Sequence, residues 1–161
     1  MRILVTGKNG QLGKSIHKIT IITKQTNDFI FAGRKELDLS DENKINRYFD
    51  ANDKFDIIIN CAAYTAVDKA DEEPVLANQV NHLAVKKLAE IANQQKAKLI
   101  HISTDYVFDG ESSKPYTETN RVNPINNYGK TKLAGEKALQ KVMPTNAMVI
   151  RTSWVYSEYG N

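Results

Sequence analysis

The chain has a single cysteine, Cys61, among 161 residues. One thiol excludes an internal disulfide framework. Cys61 follows Ile57-Ile58-Ile59-Asn60 and reads as a buried structural thiol rather than a nucleophile. Histidine is nearly as scarce. His17, His82 and His101 stand far apart, without the spacing of metal ligands, so no metal is expected. No apolar run approaches the roughly 20 residues that a membrane span needs. The chain opens directly on a strand-like run, without the apolar core of a signal peptide. The 22 basic and 19 acidic residues are interspersed, and no basic block reads as a nucleic-acid arm. Internal repeats and low-complexity stretches are also lacking. These absences point to a reduced, cytoplasmic protein that engages neither membrane nor nucleic acid.

What is present is 41% hydrophobic and 25% charged, the balance of a soluble globular protein. The length suits one domain, residues 1–161, with a substantial core. Strand-like and helix-like runs alternate along it. Strands are expected at 2–6, 29–32, 56–60, 98–103 and 147–151. Helices are expected at 10–23, at 41–51 behind a Ser40 cap, at 73–95 with Pro74 in the first turn, and at 128–141. The third helix should face a core with Leu76, Val80, Leu83, Ala84, Leu88 and Ile91. Such alternation implies an α/β fold of Rossmann type, a doubly wound parallel sheet with helices on both faces. The expected strand order is 3-2-1-4-5, with ligands over the carboxyl ends of strands one and four. The polar segment 104–126 is long for a plain connection, and such loops are often functional.

Glycines are few but concentrated where they matter. Gly7, Gly10 and Gly13 follow the run Ile3-Leu4-Val5 directly, in the spacing G-x-x-G-x-x-G. A tight turn between a strand and a helix lets backbone approach a pyrophosphate and aims helix N–H groups at it. A dinucleotide is the first ligand to expect. Gly13-Lys14-Ser15 also matches the tail of a P-loop, but the residue five before Gly13 is Lys8 where that motif needs glycine. The remaining alternative is a turn whose glycines merely permit close packing.

Tyr128 and Lys132 lie four residues apart, on one face of the last helix. A lysine cation lowers the pKa of a neighbouring phenol and would make Tyr128 a usable proton donor or acceptor. The plain alternative is an exposed helix face. Ser103, Thr104 and Asp105 follow strand four at the edge where ligands should bind. The two hydroxyls could bond a carbonyl or ring hydroxyls. The alternative there is a strand-end turn with local side-chain bonds.

Taken with Asn60-Cys-Ala-Ala-Tyr-Thr-Ala-Val-Asp-Lys-Ala70, Ser103-Thr-Asp-Tyr-Val-Phe-Asp-Gly110, Tyr128-Gly-Lys-Thr-Lys-Leu-Ala-Gly-Glu136 and Arg151-Thr-Ser-Trp-Val-Tyr156, these motifs carry a resemblance that spans the chain. The sequence resembles the extended short-chain dehydrogenase/reductase superfamily, and within it the dTDP-4-dehydrorhamnose reductases. The resemblance implies NAD(P)H-dependent reduction of the C4 keto group of dTDP-4-dehydro-6-deoxy-L-mannose to dTDP-L-rhamnose. It implies a catalytic trio of Thr104, Tyr128 and Lys132. Tyr128 would protonate the C4 oxygen, Lys132 would lower its pKa and hold the nicotinamide ribose, and Thr104 would orient the carbonyl. Gly7, Gly10, Gln11, Leu12 and Gly13 would cradle the pyrophosphate. Asp38 and Leu39 would border the adenine, and Ala62, Ala63, Tyr64 and Thr65 the nicotinamide. Thr104, Asp105 and Trp154 would touch the dTDP-sugar. A homodimer is an open arrangement for the longer protein.

Two departures qualify this picture. No acid ends strand two, where NAD-preferring sites place one. Arg34 stands there instead and could meet a 2′-phosphate, so NADPH is favoured with NADH open. The alternative for Arg34 is an ordinary surface cation. The family is also nearly twice this length, so the chain is expected to be a cofactor domain whose substrate-binding portion is absent. Such a domain would expose apolar surface. Two further readings stay open: another nucleotide-sugar epimerase or dehydratase, and a regulatory subunit like that of methionine adenosyltransferase. Dehydratases carry Thr-Asp-Glu after strand four, where this chain has Thr104-Asp105-Tyr106.

Overall fold

A computed structural model describes residues 1–160. The strands are β1 (Arg2–Thr6), β2 (Asp28–Ala32), β3 (Ile57–Asn60), β4 (Lys98–Thr104) and β5 (Ala147–Thr152). All pair in parallel. The helices are α1 (Gln11–Ile22), α2 (Glu42–Asp50), α3 (Lys69–Glu72), α4 (Pro74–Asn78), α5 (Ala84–Gln95) and α6 (Asn127–Val142). A π-helical turn, Gln79–Leu83, joins α4 to α5 without a break. Among the described residues no helix is long and apolar enough to cross a membrane.

The strand order is 2-1-3-4-5, not the expected 3-2-1-4-5. The reason lies in which face each helix takes. Leu4, Ile58 and Leu99 share one face with Ile45 and Phe49 of α2, Leu88 of α5 and Leu139 of α6. The other face carries Phe31, against which His17 of α1 packs at 4.6 Å. A right-handed crossover moves one way along the sheet with its helix on one face, and the opposite way on the other. Helix α1 therefore sets β2 to one side of β1, and α2 returns the chain past β1 to β3. The reversal falls between β1 and β3, and a cleft spans from the carboxyl end of β1 past β3 to Ile102 and Ser103 at the end of β4, as expected for strands one and four.

Other expectations shift locally. Asp41, not Ser40, caps α2, accepting from the N–H groups of Asn43 and Lys44 at 2.9 and 3.2 Å. The Ser40 hydroxyl donates to Asp38 at 2.6 Å instead. The π turn rotates the apolar stripe, so Leu83 is exposed while Asn81 and Val85 are buried. The long polar segment is ordered by its own cluster, in which Phe108 stacks on Tyr116 at 4.3 Å and Val107 packs on Leu133 of α6. The helices are unevenly shared. Three major helices cover one face, while α1 alone covers part of the other. Along β5, Met148 and Ile150 of that second face are exposed, and Ile19 and Ile22 of α1 are exposed as well.

Candidate active site

Gly7 ends β1 with φ +72°, a left-handed conformation that favours glycine. A Cβ there would sit 2.8 Å from the Ala62 backbone nitrogen. The turn after β1 thus runs directly against the chain leaving β3. Gly10 N–H closes the turn on the Gly7 carbonyl at 3.0 Å. Gly13 packs under it, where a Cβ would collide with the same carbonyl. Helix α1 begins with no side-chain cap and no acid in its first turn. Its first N–H groups and positive dipole end are left for an anion.

The turn opens on a cleft of about 640 Å³. That is the size of a small-molecule site. Gly7, Gly10, Gln11 and Leu12 line it, as do Arg34, Asp38 and Leu39 from the turns after β2. Ala62, Ala63, Tyr64 and Thr65 contribute from the loop after β3, and Tyr128 and Lys132 from α6. Gly13 lies beneath. Thr104, Asp105 and Trp154 are not among the lining residues. Thr104 is buried at the end of β4, donating to Asp105 and accepting from the Tyr106 N–H. Trp154 stands 80% exposed, stacked on Tyr156.

In the turns after β2, Asp38 is held by Ser40 and Lys44, and Arg34 reaches it at 3.6 Å. Arg34 is three-quarters exposed and could turn toward an anion. An acid absent from the sequence reading sits close by. Glu36 accepts from the Gly33 N–H at 2.9 Å and pairs with Lys8 at 2.7 Å. It lies in the turn past β2 rather than at the strand end, so strand-end spacing did not reveal it.

Helix α6 places Tyr128 and Lys132. Asn126 caps it, accepting from the Gly129 N–H at 2.8 Å. Gly129 lets the helix pack on the Tyr106 carbonyl, and the Tyr106 ring meets Tyr128 edge-on at 5.5 Å. Burial raises the Tyr128 pKa, and the facing Thr104 hydroxyl lowers it only in part. This differs from the lowering expected from Lys132. The Lys132 Nζ donates to the Ile102 carbonyl at 2.7 Å. Lys132 is almost wholly enclosed, and burial pulls its pKa down to about 8 against the opposing pull of Glu136. Glu136 is equally buried and receives Arg151 through both carboxylate oxygens, at 2.7 to 3.3 Å.

Two polar residues beside the site, Asn81 and His101, carried no role in the sequence reading, whereas the Ser103 hydroxyl was expected to bond a carbonyl or ring hydroxyls. Asn81, in the π turn, accepts from the Tyr64 N–H and donates to the Tyr64 carbonyl and the Thr131 hydroxyl. His101 is fully buried and bonded to Asn60. Ser103 lines the cleft with a buried hydroxyl that has no partner among the described residues. For Asn81 and His101, a polar residue inside an apolar stripe or strand was the only signal. Cys61 also lines the cleft, but burial pushes its thiol up to about 12, too high for a nucleophile.

These features fit a dinucleotide. The glycine turn leaves room for backbone to meet a pyrophosphate, the helix start offers N–H groups, and the unpaired Ser103 hydroxyl offers a bond inside the cleft.

A family model described as the RmlD substrate binding domain matches residues 1–161. The dTDP-4-dehydrorhamnose reductase of Sinorhizobium fredii is 44% identical over 99% of this chain and 52% of its own length. Two solved dTDP-4-dehydrorhamnose reductases superpose closely. That of Clostridium acetobutylicum has a TM-score of 0.93 and 42% identity, covering 100% of this chain and 56% of its own. That of Bacillus anthracis, solved in complex with NADP, has a TM-score of 0.90 and 37% identity, covering 99% and 56%. The chain spans about half the length of the curated relatives it matches.

Proposed function

We propose, from the premise that the chain belongs to the RmlD substrate binding domain family, that it is the cofactor-holding portion of an NAD(P)H-dependent reductase acting on the C4 ketone of dTDP-4-dehydro-6-deoxy-L-mannose. The observation that carries this reading is that one cleft is lined both by the glycine turn and by Tyr128 and Lys132. The cofactor, NADPH by preference, would supply a hydride to C4. The Gly7–Gly10 turn and the start of α1 hold its pyrophosphate, and Arg34 meets the 2′-phosphate. Ala62 to Thr65 flank the nicotinamide. Tyr128 gives its proton to the C4 oxygen as negative charge develops there. Its raised pKa keeps the phenol protonated at neutral pH, as a proton donor requires. Thr104 and Asp105, with Trp154, lie outside the cleft and meet the sugar nucleotide from its rim.

The partial coverage of the relatives supports the domain reading. With about half of each relative unmatched and one sheet face bearing exposed Met148 and Ile150, the other half of the protein builds the sugar pocket and covers that face. Tyr106 favours a reductase over a dehydratase, since an aromatic ring occupies the place of the eliminating acid.

Turnover tests the proposal. A longer chain containing this sequence, given the sugar nucleotide and NADPH, should oxidise the cofactor, and Tyr128→Phe should lower kcat by about 10²–10⁴-fold. The 161-residue chain should bind cofactor but turn over little sugar. Cofactor binding without turnover of any sugar nucleotide by the longer chain would leave a dinucleotide-binding subunit instead.

A further inference from the structure

Beneath the cleft a chain of buried polar side chains crosses the sheet. The Ala62 N–H donates to the Thr6 hydroxyl at 3.3 Å. That hydroxyl donates to the Asn60 carbonyl oxygen at 2.6 Å. The Asn60 amide then meets His101 Nδ1 at 3.0 Å, and His101 Nε2 lies 3.5 Å from Lys132 Nζ. Thr6, Asn60, His101 and Lys132 are each 1% exposed or less. They sit on neighbouring strands β1, β3 and β4 and on α6, so none can relax into water.

Direction matters along this chain. The Thr6 oxygen accepts from the Ala62 N–H, and its 2.6 Å contact, the length of an O–H···O bond, sends its proton to the Asn60 side-chain oxygen. Asn60 then spends its oxygen on Thr6 and turns its NH₂ toward His101. Nδ1 must accept, which leaves the imidazole proton on Nε2, facing Lys132. An ammonium has no lone pair to receive that N–H, whereas a neutral amine has one.

We propose that His101 is a positioning residue for Lys132, and that the Thr6–Asn60–His101 chain holds the imidazole in the Nε2–H form, which favours the amine of Lys132 over its ammonium. The inference rests on the reading of Lys132 as a residue of the reductase site. It means that the lysine charge beside Tyr128 is set from below the cleft. The charged and titratable groups around Lys132 are few. Tyr128 and Glu136 flank it on α6, one turn to either side. From β5, Arg151 is engaged with Glu136. From β4 comes His101, which burial and the Lys132 charge keep neutral, its pKa well below the ordinary value. Thr6 and Asn60 contribute no charge. Asp105 and Tyr106 face Tyr128 rather than Lys132.

The test is NMR of the 161-residue chain with ¹⁵N-histidine and ¹³C-lysine, read against pH. His101 should stay in the Nε2–H form throughout the Lys132 titration. Thr6→Val removes the proton that orients Asn60, frees the tautomer and should raise the proton affinity of Lys132 on the order of tenfold. Thr6→Ser keeps the hydroxyl and should restore the wild-type midpoint. A purely structural Thr6 would alter stability and leave that midpoint in place. An Nδ1–H imidazole, a tautomer that switches as Lys132 titrates, or an unmoved midpoint in Thr6→Val would each overturn the proposal. The wild-type tautomer is readable even if Thr6→Val does not fold. None of these readouts needs sugar reduction, so failure of the reductase reading would show separately, in the turnover assay.

Discussion

Burial works against the charge on Lys132. Its folded pKa of about 8 lies below the ordinary lysine value, so the unfolded chain holds the proton more tightly. The resulting destabilisation is fully present below pH 8 and fades between there and about 10.5, where the unfolded lysine also loses its proton. Lys132→Met should therefore stabilise the cofactor-free chain at pH 7 by about 1–3 kcal/mol, with the gain shrinking toward pH 10. Urea denaturation of both proteins at the two pH values checks this, and a less stable variant at pH 7 would contradict it. The position of Lys132 was legible from its spacing to Tyr128. Its direction was not, because a four-carbon stem can point several ways. Only packing turns Nζ to the Ile102 carbonyl. Arg34 shows the same limit in reverse. It lines the cleft as expected, but pairs with Asp38 at 3.6 Å. Arg34→Asp should weaken NADPH more than NADH, since repulsion replaces attraction at the 2′-phosphate. Equal losses by calorimetry would remove Arg34 from the site.

Among the elements, the strands were legible within a residue or two because apolar β-branched runs bounded by polar turns declare themselves. Their order was not. Sequence alone did not reveal that α1 and α2 lie on opposite faces, and that choice alone reverses the direction of the chain after β2. The helix after Pro74 was legible as a long amphipathic run, but its π turn was not, since one extra residue per turn leaves the pattern of apolar residues nearly intact. That turn matters to the site. It sets Asn81 against the loop after β3, where its amide satisfies both backbone groups of Tyr64. Asn81→Ala leaves those two groups without their partner, while the Thr131 hydroxyl keeps the Tyr128 carbonyl. Each buried group so orphaned costs about 1–3 kcal/mol. The variant should unfold at clearly lower urea and show altered amide signals from Ala63 to Thr65. A variant as stable as wild type would mean the loop is held by other contacts.

As a whole, the molecule is a sheet finished on one face and incomplete on the other. The finished face carries the main core and the polar chain beneath Lys132. The incomplete face leaves Met148 and Ile150 exposed, and the lone wrapping helix keeps Ile19, Ile21 and Ile22 exposed as well. The cleft is nonetheless assembled from residues that this chain contains, with every expected cofactor contact lining it except Gly13, which packs beneath the turn. Cofactor binding therefore should be a property of this chain by itself, whereas sugar reduction, on the proposed reading, should need the longer chain. The most direct test of that division is a calorimetric titration of NADPH into the 161-residue chain, with amide shifts followed in parallel. The account predicts one NADPH per chain, with the largest shifts at Gly10, Gln11 and Leu12. No binding at millimolar NADPH, or shifts confined to other parts of the surface, would contradict it.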